Sequence, residues 1–316
     1  MVELTVHDGS SAHMPVVAEG LTWTTERRGA PGKLEFTVVK GSGISFSEGA
    51  PVRLVVGGVR MFYGFVFAKK RDKRQHVTVT AYDQLRYLLN KDTYVMRNYT
   101  ATDLVRRIAG DFGLNLGKLD ETTYRIEAKV EDNVALMDMV YGALDQDLMN
   151  TRRMHVLYDD FGALTLRSID GMVVDALIDE ESGENFEYSS SIDETYNRVK
   201  LAYENEETGK RDIYIAQSSD RMNAWGVLQH YETLAEGENG QSKADALLEL
   251  MNVKVRRLKV LKVFGDPRVR AGSMVMVRLK LGDIRVNHLM MVERCVHAFA
   301  LDDHRMDLTL RGEEFV

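Results

Sequence analysis

The chain has 316 residues, 41 Lys and Arg against 48 Asp and Glu, a net charge of −7 and a pI near 5.7, which excludes the broad basic footprint of a protein built to grip nucleic acid. Hydrophobic residues make up 44% and charged residues 28%, ordinary for a globular protein long enough for two or three domains, and no apolar run approaches the roughly 18 residues of a membrane span. Met1–Asp8 lacks the basic and apolar regions of a secretory leader, so residence in the cytosol is expected unless lysis or a large machine carries the chain out.

In chain order, residues 1–95 read as a first β domain. Alternating strands are predicted at Leu4–Val6, Leu34–Val39, Val52–Val56, Met61–Phe67 and Val77–Ala81 with Gly-rich turns between them, and a small barrel is the simplest way to close so many short strands. Between the last two strands runs Lys69-Lys70-Arg71-Asp72-Lys73-Arg74, read as a solvated hairpin tip in preference to a phosphate contact. Residues 96–187 change character to an α/β insertion. Thr100-Ala-Thr-Asp103 is a capping box with Asp in place of Glu, followed by a stripe of Leu104, Val105, Ile108, Ala109 and Phe112 that Gly113 ends. Asn133 is expected to cap a second helix with the stripe Leu136, Met139, Val140, Ala143, Leu144 and Leu148. A hairpin, Met154–Tyr158 with Ala163–Leu166, turns at Asp159–Gly162.

Residues 188–316 begin with strands Arg198–Tyr203 and Asp212–Ala216 about a turn at Asn205–Gly209, and Ser242 is placed before a helix carrying Asp245 and the stripe Ala244, Leu247, Leu248 and Met251. A second basic segment spans Lys254–Lys262; acidic segments at 179–187 and 204–207 read as exposed loops. The domain ends in a repeat. Gly49-Ala-Pro-Val52 opens a strand, a loop at Gly57-Gly58, a strand Met61–Phe67 and a third from Val77. Gly272-Ser-Met-Val275 opens the same series, with a loop at Gly282-Asp283, a strand Leu289–Val296 and a third from Met306. This predicts a duplicated antiparallel module in which Gly49 matches Gly272 and Val52 matches Val275, each glycine sitting at a strand entry.

Chemistry-bearing motifs are sparse. No Walker loop, GxGxxG, HExxH, CxxC or GxSxG occurs, so no catalytic, cofactor-binding or metal-binding residue is assigned. Cys295, the only cysteine, cannot form an internal disulfide and lies in an apolar strand with His297 on the same face. With His288 and His304 it is the best metal candidate, but in the wrong order for a zinc module. A tight turn at Asp302-Asp303 would set His297 across from Asp307, a pair without a nucleophile. The carboxylate pairs Asp159/Asp160 and Glu180/Glu181 are adjacent in turns and suit solvated loops better than a glycosidase cleft. Trp23 and Trp225 read as core or interface residues, and no aromatic cluster is evident along the chain.

Ala81–Asp92, Tyr158–Leu166, Val296–Phe299, Asp303–Met306 and Leu308–Leu310 resemble segments of the baseplate hub proteins of contractile phage tails and phage-tail-like bacteriocins. The likeness is to the hub of PBSX-type defective prophages, and more distantly to the late control protein D family and the T-even phage hub. The resemblance implies a mainly β (α+β) fold: two similar tail-tube-like antiparallel β-barrel domains, 1–95 and 188–316, with the α/β insertion 96–187 between them. It also implies a structural, non-enzymatic homotrimer whose pseudo-sixfold ring adapts the tail tube above to the threefold central spike below. Other baseplate proteins would be neighbours, and DNA would pass through the lumen without specific binding. Such a protein is assembled in the bacterial host cytoplasm and carried in a virion or bacteriocin particle. The interface candidates are Gly49, Val52, Gly272, Val275, Lys69, Lys70, Arg71, Lys73 and Arg74. A cell-wall hydrolase of the same particle and a carbohydrate-binding module are the alternatives.

Overall fold

The computed structural model describes residues 1–9, 11–18, 20–39, 46–205, 209–234, 239–281, 284–300 and 303–312. The expected turns at Asn205–Gly209, Gly282-Asp283 and Asp302-Asp303 fall wholly or partly outside these residues.

The chain is mainly β. The first module comprises β1 (Val2–Asp8), β2 (Ser11–His13), β3 (Leu21–Glu26), β4 (Lys33–Val38), β5 (Pro51–Val56), β6 (Val59–Arg71) and β7 (Val77–Tyr82). Strict alternation drives these strands: in β4, Leu34, Phe36 and Val38 face inward and meet Val52 and Leu54 of β5 and Val79 and Ala81 of β7 in one core.

The insertion begins with a 3-10 turn, Gln84–Leu89, and continues through β8 (Lys91–Tyr99), α1 (Ala101–Asp111), β9 (Leu116–Leu119), β10 (Ile126–Ala135), α2 (Leu136–Thr151), β11 (His155–Asp159) and β12 (Leu164–Ser168). The capping box is present at α1: Thr100 accepts from the Asp103 amide, and Asp103 returns the bond to the Thr100 amide. Asn133 does not cap α2. It sits in β10 with φ of 55° beside a register shift, a left-handed position that Asn tolerates. The strand then runs directly into the helix, whose first amide, Leu136, is satisfied by the Asn90 carbonyl at 2.9 Å. β8 and β10 pair as a ribbon, and β9, β12 and β11 form a small sheet against α1 and α2.

The remainder holds β13 (Val173–Asp179), β14 (Asn185–Ser191), β15 (Arg198–Asn205), β16 (Lys210–Gln217), α3 (Ser219–Trp225), β17 (Gln229–Thr233), α4 (Gly240–Met251), β18 (Val255–Phe264), β19 (Met274–Leu281), β20 (Ile284–Ala300) and β21 (Asp303–Gly312). α4 starts before Ser242: Asn239 is the cap and accepts from the Ser242 amide at 3.1 Å. β15, β16 and β17 form a separate sheet under α4 with its own small core of Val199, Leu201, Ala216, Leu234, Ala244 and Leu247. The segment 179–187 is not all loop, because β14 begins at Asn185. Glu187 on that strand pairs with Lys259, and Glu184 just before it pairs with Lys262.

One large sheet joins both modules in the order β2-β1-β5-β6-β7-β4-β3-β20-β21-β18-β14, with β19 also on β20 and β13 on β19. Taken separately, the modules share a strand order. The first reads β1-β5-β6-β7-β4-β3 and the second β13-β19-β20-β21-β18-β14, the same permutation of six strands once β2 and the separate β15–β17 sheet are set aside. The one difference of direction is that β1 is antiparallel to β5 whereas β13 is parallel to β19. Among the described residues neither set closes into a barrel. The edge of β3 that closure would need is instead bonded to β20, and β14 bonds only β18, so in place of the expected barrels the modules are open sheets, each with its own core.

Candidate assembly interface

The two repeat glycines occupy the same turn. Gly49 has φ of 87° and Gly272 of 90°, values that an L side chain adopts only with strain. The Gly49 amide donates to the Val66 carbonyl (2.7 Å) and the Val66 amide to Ala50 (2.9 Å); the Gly272 amide donates to Val292 (2.7 Å) and Val292 to Ser273 (2.8 Å). Each exchange sits beside a bulge in the long strand, between Val66 and Ala68 in β6 and between Val292 and Arg294 in β20. Val52 and Val275, three residues after each glycine, are both fully buried.

The modules join where β3 runs antiparallel to the second half of β20, from Arg294 opposite Glu26 to Phe299 opposite Leu21. The first half of that same β20 edge is taken by β19. Around this seam Trp23 stacks on His297 with ring centroids 5.1 Å apart, the Ala271 amide donates to Thr25 Oγ1 (2.9 Å), and Arg27 pairs with Glu293 (2.9 Å). His297 is buried, with Nε2 on the Val269 carbonyl and Nδ1 on His304 Nε2, both at 2.8 Å; desolvation holds its pKa down to about 3.

A polar joint ties the insertion to the same seam. The buried Asp83 accepts from the Gly32 and Leu85 amides (2.9 and 3.0 Å). Asp159 accepts from Gln84 (3.2 Å) and from the Gly162 amide (2.7 Å). The Arg270 guanidinium lies 4.1 Å from the Tyr158 ring centroid and 5.7 Å from that of Trp23, and its Nη1 donates to the Asp159 carbonyl at 2.8 Å. Burial raises both carboxyls above the ordinary range, Asp83 most, with the charge of Asp159 adding to its shift. Asp159 is therefore not a solvated loop charge. No reading of the sequence singled out this joint, although Tyr82-Asp83 and Tyr158-Asp159 both follow the inward alternation of a strand with a Tyr-Asp pair.

The remaining candidates stay apart. Cys295 is buried and desolvation raises its thiol pKa; His288 bonds the Leu289 carbonyl; and no group of three or more metal-ligating side chains occurs among the described residues. Asp307 lies opposite Val296 rather than His297 and accepts from the Lys262 amide (2.8 Å), so the expected His/Asp pair points to opposite faces. The Lys69–Arg74 run forms the exposed end of β6 and the turn into β7, with Lys69 Nζ on the Phe46 carbonyl at 2.7 Å.

An aromatic group that the linear order hides is assembled by the fold: Tyr63, Phe65 and Phe67 on the outer face of β6, with Tyr82, Tyr87 and Phe161 tilted or edge-on to them. The guanidinium groups of Arg53, Arg60 and Arg86 lie 5.4 Å from the ring centroids of Tyr63, Phe161 and Phe67, so one face of each of these three rings has a cation over it. No helix among the described residues is long and apolar enough to cross a membrane.

Comparison with known proteins agrees with this architecture. The YQBQ-like family model matches residues 21–311. The chain is 33% identical over 309 residues to the phage-like element PBSX protein XkdQ of Bacillus subtilis, covering 93% of this chain and 92% of that one. In fold it is similar to the 43 kDa tail protein of prophage MuSo2 from Shewanella oneidensis (TM-score 0.70, 11% identity, 98% of each chain). It is also similar to an E. coli component of the type VI secretion system, described as structurally similar to the T4 bacteriophage tail proteins gp27 and gp5 (TM-score 0.58, 10% identity, 98% of this chain and 76% of that one). The family match and the 33% identity to the PBSX protein lead to one assignment: the chain belongs to the YQBQ-like family, and its fold is that of prophage tail proteins.

Proposed function

We propose that this chain is the hub of a contractile tail or related injection machine, a structural homotrimer that adapts the sixfold tail tube to a threefold central spike. The observation that carries the reading is the shared strand order of the two modules within one polypeptide, joined side by side through β3 and β20. Three chains with two such modules present six similar units to the tube, while the insertion and the β15–β17 sheet, which occur once per chain, supply threefold features to the spike. The modules act as two tube-like domains, about 1–95 and 188–316, the second completed by β13 and the start of β14, flanking the rest of the insertion 96–187. Other baseplate proteins bind the outside. DNA passes the lumen without specific contacts, as suits a chain of net charge −7. Assembly takes place in the bacterial host cytoplasm, and the particle carries the protein out.

The test is co-expression with the adjacent spike and tube proteins of the same particle, followed by native mass measurement and averaged imaging. A trimer with six similar densities around a threefold ring is expected, even where the isolated chain is monomeric, because neighbouring rings contribute binding energy. A chain that stays monomeric with both neighbours present overturns the reading.

A further inference from the structure

The seam inside the chain has an unfilled counterpart. In the first module the free edge of β3 is taken up by the second half of β20. The second module's equivalent of β3 is β14, and the first module's equivalent of β20 is β6. β14 bonds only β18, and β6 makes its last bonds on the β5 side at Val66, so among the described residues β14 and the part of β6 beyond Val66 each leave one edge open.

The matching residues follow from the shared bonds. Val66 corresponds to Val292, and Tyr188 corresponds to Trp23, since Leu258 pairs Tyr188 and Leu310 just as Leu34 pairs Trp23 and Ala81. Carrying the β3–β20 register across sets Ala68 opposite Ser191, Lys70 opposite Ser189 and Arg71 opposite Tyr188. We infer that β14 of one copy adds antiparallel to Ala68–Arg71 of the next copy's β6 in that register, which repeats the internal seam between chains. This rests on the ring reading above and names the edges that close it.

Three observations favour a second copy of this chain as the occupant. The chain already makes the equivalent contact once, and a head-to-tail contact repeated with one rotation closes a ring. Charge is complementary on balance: the β6 edge ends in the exposed Lys69-Lys70-Arg71 before Asp72, while β14 carries Glu187, which pairs with Lys259 and would lie opposite Asp72 and diagonal to Lys70, and follows Glu184, which pairs with Lys262. Burial differs in the direction that a missing neighbour requires. Trp23, covered by β20, is 3% exposed, whereas Phe186 and Tyr188 on β14 are only partly buried against their core. In the seam Trp23 stacks on His297; between chains Tyr188 takes the place of Trp23 and Arg71 that of His297, a cation over an aromatic ring. The residues 46–48, of which Phe46 accepts from Lys69, are no obstacle, because Val269–Ala271 stand at the same offset from Gly272 in the second module and β3 still pairs there.

The test is disulfide trapping in the full chain co-expressed with its spike and tube proteins. Lys70→Cys with Ser189→Cys is expected to give a covalent trimer on mild oxidation, and Lys70→Cys with Asn185→Cys, displaced along β14, at least tenfold less. A trimer by native mass that yields no in-register cross-link overturns the edge assignment and leaves the hub reading standing. Absence of any trimer with both neighbours present overturns the hub reading and this pairing with it. Lys70→Glu provides a second measurement: it should weaken the ring at low salt, and Ser189→Lys, opposite it in this register, should restore the ring in the same chain; failure of that restoration in a folded chain counts against the register.

Discussion

At the scale of single residues, matched positions of the repeat have unequal surroundings. Gly49 and Gly272 share a positive φ, so alanine at either is strained by about 1–2 kcal/mol. A Cβ at Gly49 meets nothing within 4 Å, whereas one at Gly272 lies 2.7 Å from Val156 Cγ1, where overpacking adds about 1–3 kcal/mol. Gly272→Ala should therefore lower unfolding free energy by clearly more than Gly49→Ala in urea titration; equal losses would show that the insertion yields freely at this contact. His297 makes the second prediction. Its folded pKa is depressed from 6.5 to about 3, so it contributes stability that is present above 6.5 and lost as pH falls towards 3, and His304, also depressed by burial, acts with the same sign. Between pH 7 and 4 the chain should lose about 3 kcal/mol through His297, and His297→Gln should flatten that slope. Parallel pH curves for the two proteins would remove His297 as the source.

Among the elements, α1 is the one whose local signals and tertiary setting agree throughout. Its capping box, buried stripe and terminating glycine were all legible, because helix ends are decided by contacts within a few residues. Thr100→Ala should cost about 1 kcal/mol by thermal denaturation, with loss of helical signal confined to the insertion; a silent substitution would mean that packing alone holds the helix end. The starts of α2 and α4 were misread by up to three residues for a physical reason: a first-turn amide needs a partner, but it accepts one from anywhere. At α2 the partner is a distant carbonyl, Asn90, and at α4 it is Asn239 rather than the serine that follows.

The whole molecule is a set of sheets whose edges matter more than its pockets. Substituting Glu for Lys69, Lys70 and Arg71 should weaken assembly with spike and tube in a salt-dependent way while leaving the monomer's melting temperature within a few degrees, because these side chains are exposed and screened. Unaltered assembly at low salt would place the run away from any subunit contact.

The duplicated module, the alternation of its strands and the two special glycines were determined by sequence alone. The signals behind them are short-range: period-two burial and a positive φ act over neighbouring residues. Three features were decided only in three dimensions. Strand β3, paired with β4 in its own module, gave its other edge to β20, Asp83, Asp159 and Arg270 converged from three separate segments, and six aromatic rings gathered on one face. Edge pairing and buried charge are settled by which partner is nearest once the chain has folded. No local pattern encodes that choice, so strands that read as closed barrels became open sheets, joined through one shared edge.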